Sequence, residues 1–95
     1  MGLAKNQYRI LDFLATQPDS VAGIDVADGI EQMGRSSVYA ALAALQRDGM
    51  VEAEWDHSGS HPKRMVQISA AGRSALTVEI ELMTPGTRAY VEGSA

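Results

Sequence analysis

The sequence predicts a mainly α-helical domain with one small β-hairpin, arranged as a winged helix-turn-helix. Residues 36–48 indicate a helix, because apolar side chains recur at helical spacing between two serines and a glycine. Residues 51–68 indicate a hairpin, because alternating apolar and polar residues flank a loop rich in serine, glycine and proline. A helix that leads directly into such a hairpin is typical of a recognition helix followed by a wing.

Composition favours one small domain over residues 1–95, with 45% hydrophobic residues and no cysteine. The absence of cysteine excludes disulfides and thiolate metal sites. No apolar run approaches the roughly 20 residues of a membrane span. The first residues, MGLAKNQ, lack the long apolar stretch of a signal peptide. We therefore expect a cytoplasmic protein with no membrane partner.

The net charge of −4 is unusual for a nucleic-acid binder, which normally has a basic surface. The charges are unevenly distributed, however. Acidic residues concentrate before and after the predicted hairpin, at Asp19, Asp25, Asp28, Glu31, Glu79, Glu81 and Glu92. Basic residues cluster in and just after the predicted wing, at Lys63, Arg64 and Arg73. The predicted binding edge is therefore less acidic than the chain as a whole.

A first helix is predicted over residues 4–17, where Ile10, Leu11 and Leu14 form one apolar stripe and Pro18 ends the pattern. Tyr8 and Phe13 can widen that stripe.

A second helix is predicted over residues 22–33, where Val26, Ile30 and Met33 repeat the helical spacing. Gly29 inside this segment disfavours the helix by about 1 kcal/mol relative to alanine.

The third helix, 36–48, has the features of a recognition helix. Gly34 supplies the preceding turn, Ser36 or Ser37 is the predicted N-cap, and Gly49 is well placed to end the helix in a left-handed conformation. The inward residues are Val38, Leu42 and Leu45, and the outward ones are Ser36, Ala40, Ala43 and Arg47.

The hairpin consists of strands 51–55 and 64–68 around the loop 56–62. Alternation places Val51, Ala53 and Trp55 on the inner face, so Trp55 is expected to pack in the core.

A last helix is predicted over 70–83 with Ser69 as its cap, although 77–82 also alternates well enough for a strand. Thr84 before Pro85 predicts a short final helix to about residue 92. The helix is apolar on more than one side, so 70–92 is predicted to be a dimerisation segment. The expected dimer residues are Leu11, Leu76, Ile80, Leu82 and Met83.

Four segments resemble the PadR-like transcriptional regulators, in order and at compatible spacing. VAGIDV at 21–26 is similar to the opening of that family's second helix, with Ile24 in place of an aromatic residue. SVYAAL at 37–42 resembles its recognition helix, and DGMVE at 48–52 resembles the entry to its wing. PKRMVQISAAGR at 62–73 is similar to its second wing strand and the helix that follows.

The sequence departs from this resemblance in two ways. Ala44 stands where the family commonly has a basic residue, and Gln46 where it has an acid, so the recognition helix is less cationic than usual. The part after the wing is short, as in the smaller subgroup in which about one helix follows it.

The resemblance implies a sequence-specific DNA-binding regulator, a homodimeric repressor whose helix 36–48 enters the major groove while the wing, 56–64, contacts the flanking backbone. The expected partners are double-stranded DNA and a second copy of the chain, and the identity of any small-molecule effector is left open. The expected DNA-contact residues are Arg35, Ser36, Ser37, Tyr39, Ala40, Ala43, Arg47, His61, Lys63 and Arg64. The hydroxyl of Tyr39 is expected at a phosphate.

Other classes of function are less well supported. His57 and His61 lie four residues apart within the hairpin loop, where their spacing fixes no metal geometry, so neither a metal nor a cofactor is expected. No glycine-rich phosphate loop or nucleophile elbow is present, which argues against an enzyme. Two alternatives stay open: a winged-helix module that binds protein, favoured by the acidic charge, and an accessory DNA-binding factor of a phage or plasmid.

Overall fold

The computed structural model of the chain describes residues 3–82 and confirms the winged helix-turn-helix. Its elements, in chain order, are α1 (Lys5–Ala15), β1 (Val21–Ala22), α2 (Gly23–Gly29), α3 (Arg35–Arg47), β2 (Val51–Asp56), β3 (Lys63–Ile68) and α4 (Ala70–Leu82). Met83 and the predicted final helix at 85–92 lie outside the described residues.

The three strands form one antiparallel sheet in the order β1-β3-β2. Strands β2 and β3 are the predicted hairpin, paired from Val51 opposite Ile68 to Asp56 opposite Lys63. Strand β1 pairs with the other edge of β3, with Val21 opposite Val66. Strand β1 was not predicted, because two residues are too few to show an alternating pattern.

The core lies between α1, α2, α3 and α4 and the inner face of the sheet. The predicted inward stripes of α1 and α3 are buried, and Tyr8 joins that of α1. The largest fully buried side chains are Tyr8, Ile10, Leu11, Val26, Val38 and Leu45. Burial of each such aliphatic side chain contributes about 1.5–3 kcal/mol, so these residues dominate the stability of the fold.

Helix α2 is shorter than the predicted 22–33 and ends at Gly29. Ile30 leaves the helical conformation at φ −115° and ψ 86°. Ile30 and Met33 are nevertheless buried. Their apolar spacing matched that of a helix, although the residues after Gly29 pack on the core as a turn. Gly29 lies against the ring of Phe13, where a Cβ would stand 2.8 Å from two ring carbons.

The base of the hairpin is tied to the start of α4 by Ser69. Its hydroxyl donates a hydrogen bond to the carbonyl of Gly49 (2.7 Å) and accepts one from the amide of Gly72 (3.0 Å). The second bond is the predicted capping interaction. The amide of Ser69 also donates to the carbonyl of Met50 (3.0 Å). Gly49 has φ +76°, as predicted for the residue that ends the recognition helix.

Residues 77–82 are helical, which excludes the strand alternative. Two residues expected at a dimer contact lie elsewhere: Leu11 is fully buried and Leu76 is only 7% exposed, because both close the core of a single chain. Ile80 is partly buried against the same core. Val78 and Leu82 are 53% and 74% exposed.

Gly72→Ala should destabilise the fold by about 1–3 kcal/mol, the usual effect of overpacking. A Cβ at residue 72 would stand 2.1 Å from the carbonyl oxygen of Met50, and a backbone atom cannot move aside as a side chain can. Urea unfolding measures the change. Gly59→Ala, in the wing loop with only an ordinary contact at 3.9 Å, is the control and should change stability by less than about 0.5 kcal/mol. Equal stability of the two variants would contradict the close approach.

Candidate nucleic-acid interface

Helix α3 begins one residue earlier than predicted and is capped differently. Gly34 is its N-cap, in an extended conformation with no side-chain capping bond, and its carbonyl accepts a hydrogen bond from the amide of Val38 (3.0 Å). Ser36 and Ser37, the predicted caps, lie inside the first turn and are exposed. The capping prediction was wrong, because the helix begins at Arg35, and Ser36 and Ser37 are therefore its second and third residues, past the position from which a side chain can cap.

The outward face of α3 is where the sequence pattern placed it. Ser36, Ala40, Ala43 and Arg47 are exposed, whereas the inward residues of the same helix are buried. Arg35, Ser37 and Tyr39 are also exposed. The middle of the face carries only methyl groups, so the helix backbone can approach a partner surface closely.

A groove of about 490 Å³ lies between α3 and β3 and is also lined by β1 and the start of α2. Helix α3 contributes Tyr39, Leu42, Ala43 and Gln46; the wing contributes Pro62, Lys63, Arg64 and Val66; and β1 and the start of α2 contribute Ala22, Gly23 and Ile24. Among the described residues that line it, none is acidic. The groove therefore combines an apolar floor with a basic wall in a chain of net charge −4.

Two arginines of α3 face carboxylates. Arg35 lies 3.1 Å from a carboxylate oxygen of Asp28, and Arg47 lies 3.5 Å from one of Asp48. All four side chains are largely exposed, and such surface pairs contribute about 0–1 kcal/mol because water screens them. A phosphate can therefore replace either carboxylate at little energetic loss.

The wing cations point to opposite faces of the hairpin. Arg64 shares the inner face with Val66, and its guanidinium donates a hydrogen bond to Oε1 of Gln46 on α3. Lys63 has the opposite alternation and pairs with Asp56 across the hairpin, and it lines the groove at the end of the strand next to the loop. The two residues can therefore contact a partner from different sides of the wing.

The wing loop is anchored at its start by Asp56. Hydrogen bonds from Ser58, including its amide at 2.9 Å, lower the pKa of the Asp56 carboxyl, and the charge of Lys63 lowers it further. His57 and His61 are both exposed in this loop. Within residues 3–82, no group of three or more potential ligand side chains is placed to hold a metal ion.

Trp55 is 60% exposed, so the prediction that it packs in the core was wrong. Its side chain lies on the inner face of β2, as alternation required, on the same face as the buried Val51 and the half-buried Ala53. The strand runs outward past the edge of the core, and Trp55 is near its outer end. The alternating pattern predicts the face of a strand but not how far the core extends beneath it.

The described residues have the fold of the winged-helix transcription regulators, with an exposed third helix beside a basic wing. The model of the transcriptional regulator PadR-like family matches residues 8–78, and the chain belongs to this family. Its members are regulators and not enzymes. A search of curated proteins by sequence finds no match. No helix in the described part of the chain is long and apolar enough to cross a membrane.

Solved structures share the fold at low sequence identity. Bacillus subtilis PadR in complex with operator DNA has a TM-score of 0.72 at 18% identity, covering 83% of this chain and 48% of that one. A PadR family regulator from Clostridium difficile R20291 has a TM-score of 0.73 at 10% identity, with coverages of 97% and 100%. A mutant of Staphylococcus aureus MepR bound to an oligodeoxyribonucleotide has a TM-score of 0.68 at 14% identity, with coverages of 97% and 74%. The chain thus spans about half the length of Bacillus subtilis PadR.

Trp55→Ala should lower the free energy of unfolding by less than about 1 kcal/mol, because the indole is mostly in water. Replacing a buried tryptophan would instead cost about 3–5 kcal/mol. Leu45→Ala, in the fully buried stripe of α3, is the comparison and should cost about 2–5 kcal/mol. Urea unfolding of both variants measures the difference, and a loss of about 3 kcal/mol or more for Trp55→Ala would show a buried indole.

Proposed function

We propose that this protein is a cytoplasmic transcription regulator that binds specific sites on duplex DNA as a homodimer and represses the genes it controls. The groove with a basic wall between α3 and the wing is the observation that carries the proposal. Membership of the PadR-like family supports it. Two of the similar solved structures are described as bound to operator DNA or to an oligodeoxyribonucleotide, which favours DNA over a protein partner.

Helix α3 enters the major groove in this proposal, since that groove is wide enough for an α-helix. Ala40 and Ala43 present methyl groups to the base edges, which suits apolar contact with thymine methyls. Arg35, Ser36 and Ser37 supply the hydrogen-bonding groups at the start of the helix. Readout is therefore expected to depend on methyl contacts and DNA shape more than on many base hydrogen bonds.

The DNA backbone passes between α3 and the wing. Lys63, Arg64 and His61 contact phosphates from the wing, and the Tyr39 hydroxyl and Arg47 contact them from the helix. Such contacts set affinity and register without reading sequence. They also compensate for the acidic net charge, because only the surface facing the DNA needs to be basic.

A second copy of the chain is the proposed partner of α4. Val78 and Leu82 expose apolar surface that the core of one chain does not use, and the partly buried Ile80 lies between them in sequence. The dimerisation segment 70–92 continues beyond the described residues through Met83. Two-fold symmetry then places two copies of α3 in successive major grooves, about 10–10.5 base pairs apart, on a palindromic site. A dimer over such a site represses by blocking access to the promoter.

Combined Lys63→Ala and Arg64→Ala should weaken binding to all duplex sequences about equally and lower the slope of log affinity against log salt by about 0.9 for each lost phosphate contact. Fluorescence anisotropy titrations at several salt concentrations measure both effects. Arg73→Ala, an exposed arginine on α4, is the control and should leave the slope unchanged. Unchanged affinity of the double variant at low and moderate salt would exclude the wing as a backbone contact.

Ala43→Glu should abolish DNA binding while the protein stays folded. Glutamate has nearly the helix propensity of alanine, but a carboxylate at this position would enter the major groove, where the negative charge of the phosphates repels it. Circular dichroism and an electrophoretic mobility shift measure the two properties. Ala70→Glu, exposed in the first turn of α4, introduces the same charge and should bind DNA normally. Wild-type binding by Ala43→Glu would show that α3 is not the reading helix.

Leu82→Glu should shift the dimer toward monomer and reduce operator affinity without altering any DNA contact. Burial of one leucine contributes about 1.5–3 kcal/mol, so its loss weakens association at least tenfold. Sedimentation equilibrium measures the mass, and Ile80→Glu tests the neighbouring face separately. Thr77→Glu, also exposed on α4, is the control. A wild-type chain that stays monomeric at tens of micromolar would contradict the homodimer.

Selection of bound sequences from random duplex DNA tests the whole proposal. Enrichment of a palindrome with the expected half-site spacing supports a dimeric regulator. Absence of any salt-dependent duplex binding would instead favour a winged-helix module that binds protein.

A further inference from the structure

Gln46 and Arg64 connect the recognition helix to the wing. The Arg64 guanidinium, through Nη2, donates a hydrogen bond to Oε1 of Gln46, and the two residues are 18 positions apart in the sequence. Gln46 lies near the end of α3 and Arg64 lies in β3. Both line the groove between these elements. The bond therefore links the two surfaces between which the DNA backbone is proposed to pass.

The partner of Arg64 is neutral, unlike the partners of the α3 arginines. Arg35 and Arg47 lie beside the carboxylates of Asp28 and Asp48, which offset their charge. An amide oxygen accepts a hydrogen bond without carrying a negative charge, and a guanidinium has five N–H donors. Arg64 is therefore held in place with its full charge and most of its donors still available.

Arg64 also has a large neighbour within the wing. Trp55 is its cross-strand partner and lies on the same face of the hairpin. Cross-strand neighbours on one face lie about 4.5–5.5 Å apart at Cβ, within contact of a side chain as large as tryptophan. Arg64 thus has Gln46 of α3 as its hydrogen-bond partner and the exposed Trp55 as its neighbour on the same face of the hairpin.

We propose that Gln46 is a positioning residue for DNA binding: it orients Arg64 toward a phosphate of the strand that passes between α3 and the wing, and does so without neutralising it. This inference rests on the proposed function, since it requires duplex DNA as the partner. A side chain that is already ordered loses less rotamer freedom when it binds, so the hydrogen bond raises affinity even though Gln46 itself does not contact DNA.

Changing the charge at residue 46 tests the proposal. Gln46→Glu should pair with Arg64 and neutralise it, lowering affinity for duplex DNA at least tenfold at about 0.1 M salt and lowering the salt slope by about 0.9. Gln67→Glu is the matched control. Gln67 is exposed, like Gln46, and lies in β3, like Arg64, but it is on the outer face of the hairpin. Its affinity should change by less than roughly threefold, since salt screens a charge that does not contact Arg64. Equal losses in the two variants would overturn the proposal.

Removing the hydrogen bond without adding charge gives a second test. Gln46→Ala should weaken binding several-fold with an unchanged salt slope, because Arg64 keeps its charge but loses its orientation. In the variant that combines Gln46→Ala with Arg64→Ala, the loss should be smaller than the product of the two single losses, since both act through one contact. A loss equal to that product would show that the two residues act independently and would overturn the proposal.

NMR of the DNA-free protein separates failure of this proposal from failure of the proposed function. Arg64→Ala should shift the side-chain amide resonance of Gln46, whereas Lys63→Ala, on the opposite face of β3, should not. An unmoved Gln46 resonance overturns the contact itself. If the resonance moves but the wild-type protein binds no duplex DNA, the proposed function is overturned and the positioning role with it.

Discussion

The hydroxyl of Ser69 holds together the junction on which the interface depends. It bonds to the carbonyl of Gly49 on one side and to the amide of Gly72 on the other, so a single oxygen joins the end of α3 to the start of α4. The hairpin begins and ends at this junction. Its inclination to α3 is therefore set at the base, where a carbonyl of Met50 also approaches residue 72 too closely for any side chain larger than hydrogen.

The direction of the wing in turn decides which groups share the groove. Arg64 and the buried Val66 are two residues apart in β3, so their side chains lie on the same face of the strand. Arg64 therefore faces α3 and contacts Gln46. Lys63, one residue earlier, points to the other face of the strand, pairs with Asp56 across the hairpin, and also lines the groove. Two adjacent cations thus have different roles, and a chain of net charge −4 still presents a basic wall to its groove.

Helix α4 has apolar residues both in the core and on the exposed surface. Leu76 packs inside with α1, whereas Leu82, at the far end of the same helix, is exposed. The apolar residues of this helix are more than one core requires, which is the physical basis for the proposed dimer. Leu11 of α1 and Leu76 of α4 were predicted at the dimer contact but lie in the core of one chain, because periodicity shows that a residue faces something apolar without showing whether that surface belongs to the same chain.

The sequence by itself determined the winged helix-turn-helix, the outward face of α3, the hairpin and the left-handed Gly49, because local spacing and backbone preference decide each of these. Tertiary structure decided the features that depend on contacts between distant parts of the chain. Helix α2 ends at Gly29, yet Ile30 and Met33 still pack on the core from the residues that follow it, and Trp55 is exposed because the core ends before the strand does. The contact between Gln46 and Arg64 joins residues that are distant in sequence, so only the folded arrangement of α3 and β3 creates it.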